Sequence, residues 1–227
     1  MNKNLSLVTD FMNPREIQYG ISLINKFSLS YREYGGYENA ERKVLFLEGK
    51  HDRGLPLENE VSILEIESSK DLSNPSILGS LMGLGIERKK VGDIVVAGKK
   101  AYVVLRAPMD KYVYGHLKKV GRQGVRVRMY HEEMPLVKKS HKDKKIIVSS
   151  NRLDVILSSI LNLSRGKVNQ RIRRKDVKVD YELETSPNRL VNPGEMISVR
   201  KEGRFTIGKQ EGTSKKGKKI YTVEKLS

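Results

Sequence analysis

The chain has no cysteine among its 227 residues, so disulfides and thiolate metal sites are excluded outright. Histidine is almost as scarce. His51, His116, His131 and His141 are too scattered for metal-ligand spacing, and no metal or cofactor is expected. There is no long apolar run, and no amphipathic helix pairs a bulky apolar face with the basic charge, so a membrane partner is not expected. The start, Met1-Asn2-Lys3-Asn4-Leu5, lacks the basic-then-apolar order of a secretory signal; the expected location is the cytoplasm. Nucleotide loops are missing too. Gly83-Leu84-Gly85 is not extended to Gly-x-Gly-x-x-Gly after a strand, and no Gly-Lys-Ser/Thr occurs.

What the chain has in abundance is positive charge. With 44 Lys+Arg against 27 Asp+Glu the formal charge is +17, and its placement is uneven. Residues 1–70 carry 9 basic and 11 acidic side chains, residues 71–148 carry 17 and 7, and residues 149–227 carry 18 and 9. Two basic segments behind a near-neutral one describe a nucleic-acid footprint, because neutralised phosphates release their counterions. No small-molecule substrate is suggested.

The pattern predicts an α+β chain in three parts. Residues 1–70 form a small α/β unit. In it Asn13-Pro14-Arg15-Glu16 opens a helix carrying Ile17, Ile21 and Ile24, and Val44-Leu45-Phe46-Leu47 is a buried strand ending at Gly49. Residues 71–148, with a first strand from about residue 61, form a middle domain ordered β-α-β-β-α-β, the split arrangement of ferredoxin-like and RNA-recognition domains. Its strands are expected at Val61–Glu67, Ile94–Val96, Tyr102–Leu105 and Val125–Tyr130. Its helices start at Asn74-Pro75 and Pro108. Base stacking on such a sheet needs aromatics on the two central strands; the first has none and the third only Tyr102. The basic residues Arg88, Lys89, Lys90, Lys118, Lys119, Arg122, Arg126 and Arg128 suit phosphates better. Residues 135–149, with Lys138, Lys139, Lys142, Lys144 and Lys145, are expected to be a basic linker.

Residues 149–227 carry the sharpest signal. Leu153, Ile156, Leu157, Ile160 and Leu161 recur at helical spacing. Ser164 is placed to cap a second helix with Val168 and Ile172 inward, leaving unpaired N–H groups and the positive dipole end beside Arg165 and Lys167, a favourable place for a phosphate. Arg171, Arg173, Arg174 and Lys175 continue the charge. Val177-Lys178-Val179, the turn Asn192-Pro193-Gly194 and the strand Met196–Arg200 follow.

Arg152-Leu153-Asp154, Leu163-Ser164-Arg165, Val177-Lys178-Val179 and Gly194-Glu195-Met196-Ile197 resemble the RNA-binding domain first seen in ribosomal small-subunit protein four, the S-four domain. The run from Asn74 to Arg88 with Gly92-Asp93-Ile94 resembles the middle domain of bacterial YlmH-type proteins. Arg200-Lys201-Glu202-Gly203-Arg204-Phe205 extends the likeness downstream. The resemblance implies a non-enzymatic factor that binds ribosomal RNA, tRNA or peptidyl-tRNA on the large ribosomal subunit during rescue of stalled subunits and nascent-chain tailing. Carried onto this sequence, it gives RNA contacts at Arg152, Ser164, Arg165, Lys167, Arg171, Arg174, Lys175, Lys178, Arg200 and Arg204. Lys175-Asp176 departs from the pattern, standing where a glycine often turns the chain. Two alternatives share the domain: an RNA-modifying enzyme of the pseudouridine synthase type, whose Arg-Leu-Asp motif matches residues 152–154, and a heat-shock-type subunit-recycling factor. Against the enzyme, Asp154 opens an RNA-binding helix and no catalytic constellation surrounds it.

Overall fold

In a computed structural model the described residues are 6–48, 56–135 and 142–226. The chain divides into two compact units, residues 1–137 and 138–227.

The first unit begins with β1 (Leu7–Val8), α1 (Pro14–Lys26), β2 (Tyr31–Tyr34) and β3 (Val44–Leu47), whose strands form a three-stranded antiparallel sheet with β3 central. Helix α1 starts where its sequence dictates. The Asn13 side chain accepts the N–H groups of Arg15 and Glu16 at 3.0 Å each, and Glu16 reaches back to accept the Asn13 N–H at 2.7 Å. There follow β4 (Val61–Ser68), α2 (Asn74–Gly83), β5 (Val91–Ala97), β6 (Lys100–Arg106), α3 (Met109–His116), β7 (Lys119–Val120) and β8 (Gln123–Tyr130). All neighbours are antiparallel, in the order β5-β6-β4-β8-β7. The cap of α2 falls one residue earlier than the sequence suggests. Ser73 accepts the Ser76 N–H, while Asn74 is helical and spends its side chain on the Ile94 carbonyl.

Period-two alternation gives this sheet two unlike faces. Leu64, Ile66, Ala101, Val103 and Leu105 meet Ile77, Leu81 and Val113 of the two helices. Val61, Ile63 and Val104 meet Tyr34 and Val44 of the N-terminal sheet and Phe11 and Tyr37 of its connecting segments. Residues 1–70 and the middle domain are therefore one packed body, not two separate ones. The joint is tight at Gly92, where an added Cβ would lie 2.9 Å from the Phe11 ring. Beside it Asp93 accepts the Tyr37 hydroxyl at 2.8 Å and the Glu41 and Arg42 N–H groups at 2.7 and 3.1 Å. Burial, then the Asp93 charge, pushes the Tyr37 phenol far above its ordinary pKa.

The second unit runs β9 (Lys142–Val148), α4 (Leu153–Leu161), α5 (Arg165–Arg173), β10 (Val177–Val179), β11 (Glu182–Leu183), β12 (Met196–Val199), β13 (Gly203–Thr213) and β14 (Lys219–Leu226). Its six-stranded antiparallel sheet has the order β11-β10-β12-β13-β14-β9. Both helices cover one face. Leu153, Ile156, Leu157, Val168 and Ile172, each fully buried, pack on Val177, Ile197, Ile207 and Val223, each contributing roughly 1.5–3 kcal/mol of burial.

Residues 142–148 are a correction to the expected linker: they form an edge strand paired to β14 from Val148↔Lys219 to Lys142↔Lys225. Ile146 and Val148 point into the core while charged residues occupy most of the rest, as edge strands require. Lys138 and Lys139, with Gly49, His51 and His141, lie outside the described residues.

Candidate nucleic-acid interface

Helices α4 and α5 are tied together by one carboxylate. Asp154, in the first turn of α4, is fully buried. Its Oδ1 and Oδ2 accept the Arg152 guanidinium at 3.0 Å each, and Oδ2 also accepts Arg165 Nε at 3.1 Å and Nη2 at 2.6 Å. Burial alone would raise its pKa; the hydrogen bonds from Arg152 and then Arg165 outweigh that and hold it below the usual aspartate range. Asn188 accepts a further hydrogen bond from Arg152. The Arg152 and Arg165 side chains remain 36% and 57% exposed, so each presents donors outward while anchored inward. Both carboxylate oxygens of Asp154 accept from guanidinium donors, so the buried charge brackets the starts of α4 and α5.

The approach to this pair is built by backbone. Ser164 caps α5 by accepting the Lys167 N–H at 3.4 Å. The first N–H groups of α4 are met from the loop after β11: Leu153 donates to the Arg189 carbonyl at 2.8 Å and Asp154 to that of Pro187 at 3.1 Å. Arg189 braces that loop through a bidentate pair with Glu195 at 2.8 and 3.0 Å. Sequence reasoning missed this brace and Asn188. Only the Asn192-Pro193-Gly194 turn signalled it, Gly194 having a φ of 91°.

Lys167 and Arg171 of α5, with Arg174 just past its end, fall at i, i+4 and i+7, on the flank away from Arg165. Arg171 is engaged by Glu202 at 2.6 Å, which ties α5 to the turn between β12 and β13. Arg200 in that turn gives its N–H to the Asp176 carbonyl at 2.9 Å and pairs with the Asp176 carboxylate at 3.7 Å. Arg174, Lys175 and Arg200 thus gather where α5 ends. The left-handed residue there is Lys175, φ 61°, and not Asp176. Lys175 donates to the Ile172 carbonyl and Asp176 to that of Arg171, the paired bonds of a Schellman end.

The ten sequence-derived residues do not share one surface. Lys178, Ser198 and Arg204 are register partners across β10, β12 and β13. Alternation turns them away from the helices, since Val177, Val179, Ile197 and Val199 face the core. Arg152, Ser164, Arg165, Lys167, Arg171, Arg174 and Lys175 belong to the helical side.

The basic residues of the first unit sort differently. Arg88 donates to the Val91 and Gly92 carbonyls, Lys89 pairs with Glu87 at 3.0 Å, and Lys90 pairs with Asp10. Arg128 is held bidentate by the buried Glu65 at 2.9 Å twice, and that hydrogen bond lowers the Glu65 pKa. Lys118, Lys119, Arg122 and Arg126 are exposed. Among the described residues no group of His, Asp or Glu could hold a metal, and no helix is long and apolar enough to cross a membrane.

Comparison with known proteins agrees with the middle of this picture. Residues 57–134 match the family described as "Putative RNA-binding domain in YlmH". The chain is 29% identical over 224 residues to the ribosome-associated protein quality control protein P2 of Bacillus subtilis, covering 96% of this chain and 86% of that one. It also shares its fold with a solved structure titled cell division protein ylmH from Streptococcus pneumoniae. There the TM-score is 0.51 and the identity 24%, over 56% of this chain and 79% of that one. The chain is α+β, resembles YlmH-type proteins and contains a match to an RNA-binding domain.

Proposed function

We propose that this protein is a non-enzymatic, cytoplasmic RNA-binding factor of ribosome-associated quality control. It engages the large ribosomal subunit through ribosomal RNA and tRNA or peptidyl-tRNA during rescue of stalled subunits. The likeness to the Bacillus subtilis quality control protein along nearly the whole chain carries this reading. The split β-α-β-β-α-β body serves as a ferredoxin-like middle domain, and residues 142–226 as an S-four-type module. Its RNA face is the helical pair bracketed by Asp154, where two anchored guanidiniums and a serine-capped helix end suit phosphate oxygens.

Asp154 is fully buried beneath Arg152 and Arg165, so its carboxylate offers no oxygen to a substrate, which argues against pseudouridine synthase chemistry at this position. The test is gradient fractionation with RNA crosslinking read at nucleotide resolution. Cosedimentation with the large subunit at low salt and crosslinks in its RNA or in tRNA are expected. A chain found only in free fractions under stalling conditions refutes the proposal.

A further inference from the structure

In the middle domain the sheet surface on which an RNA-recognition fold stacks bases is already taken. Phe11, Val44, Tyr34 and Tyr37 cover Val61, Ile63 and Val104. Tyr102 and Tyr130 pack edge to face with centroids 4.7 Å apart and are 7% and 9% exposed. Glu65, buried between Arg128 and Lys100, fills the same face with a compensated charge. Among the described residues, that face offers a base no open ring to stack on.

Open rings lie on the opposite side, on α3. Tyr112 and Tyr114, on the two flanks of the buried Val113, are 41% and 51% exposed. Tyr112 does not wave freely. Its ring stacks on His116 at 4.2 Å and 21°, and His116 Nδ1 lies 2.8 Å from the Tyr112 carbonyl. A carbonyl only accepts, so Nδ1 carries the proton and donates, which fixes the imidazole beside the phenol. Residues 111–128 hold six Lys/Arg and no Asp or Glu. Of these, Lys111 on α3 and Lys118, Lys119 and Arg122, along the segment that runs from its C-terminal end into the β7–β8 turn, are exposed. Exposed aromatic faces, one of them held in place, beside cations with no acidic residue in the same stretch are how single-stranded nucleic acid is bound without reading its sequence.

We infer that α3 and the β7–β8 turn form a binding site for unpaired RNA nucleotides, with bases stacked on Tyr112 and Tyr114 and phosphates held by Lys118, Lys119 and Arg122. This deepens the RNA-binding reading and rests on it. It gives the middle domain a role distinct from the phosphate grip of the second unit, which suits structured RNA.

The test uses the full chain with two probes, a fluorescent ten-nucleotide oligouridylate and a fully paired RNA hairpin, read by anisotropy. Y112A/Y114A should weaken oligouridylate binding tenfold or more, since stacking is worth about 1–3 kcal/mol per base. Hairpin binding should stay within twofold, and Y112F/Y114F should bind like the original. Crosslinking of the unaltered chain to a 4-thiouridine oligonucleotide, mapped by mass spectrometry, should mark residues 111–122 whatever the variants do. Unchanged oligouridylate binding by the alanine variant, equal weakening by the phenylalanine variant, or crosslinks confined to 142–226 each overturns this inference alone. Failure of the unaltered chain to bind either probe overturns it together with the RNA-binding reading beneath it.

Discussion

Replacing Asp154 with asparagine should cost stability in a way that depends on pH. The carboxylate is fully buried and accepts four hydrogen bonds from two guanidiniums. Asparagine keeps the shape but removes the charge and one acceptor, and turns an NH2 toward an arginine. Hydrogen bonds between a buried carboxylate and charged donors are worth about 1.5–3 kcal/mol each. The arginines are partly exposed, and water recovers much of that on their side. A net loss of about 2–3 kcal/mol remains, which for a unit of this size lowers the melting temperature by roughly 8–24 °C. The folded-state pKa is depressed below the unfolded value of about 3.9. The contribution is therefore complete above that value and is lost as pH falls through the folded pKa. Calorimetry of both proteins, with hydrogen exchange at α4 to assign the transition, should show the full gap at pH 7 and a shrinking one below about pH 4. Identical melts at pH 7, or a gap undiminished at pH 2, would refute the bracket.

Lys175→Gly should stabilise the second unit by about 1 kcal/mol in urea titration, because a left-handed lysine is strained; α2 ends in the same pair of bonds with Gly85 at that position, φ 83°. Lys167→Glu should leave the melt unchanged and weaken RNA binding by anisotropy. Arg165→Glu should do both harms, since it sets a second carboxylate against Asp154. Gly92→Ala should destabilise the first unit by about 1–3 kcal/mol by pushing Phe11 off the sheet, read as lost protection of β3 amides in hydrogen exchange. If about six phosphates are neutralised, log K for structured RNA should fall against log salt with a slope of roughly −4 to −5; a flat dependence would exclude a phosphate grip.

Local rules were enough for the helices and most strands. The Asn13 cap with Glu16, the Ile156, Leu157 and Ile160 spacing, the Ser164 cap and the alternation at Val177–Val179 each involve residues within a few positions of one another, so the sequence by itself determined these elements and the basic character of α5. The connector reading of 142–148 failed for want of such a signal, because an edge strand dense in lysine reads as solvated chain until β14, seventy residues later, supplies its partner. The long β13–β14 hairpin also went unread beyond Phe205, where the family likeness stopped.

Only the tertiary structure could decide which cations are available. Arg88, Lys90, Arg128 and Arg171 are indistinguishable from their neighbours in composition, yet each meets a carbonyl or carboxylate that folding brings near. The same holds for the aromatics. Tyr102 sits on the strand where a stacking ring is wanted and is buried against Tyr130, while Tyr112 and Tyr114 stay open on a helix. Charge and periodicity are properties of the chain, but exposure is set by what packs against each face, and for this sheet that cover comes from the N-terminal β3 and the residues around it.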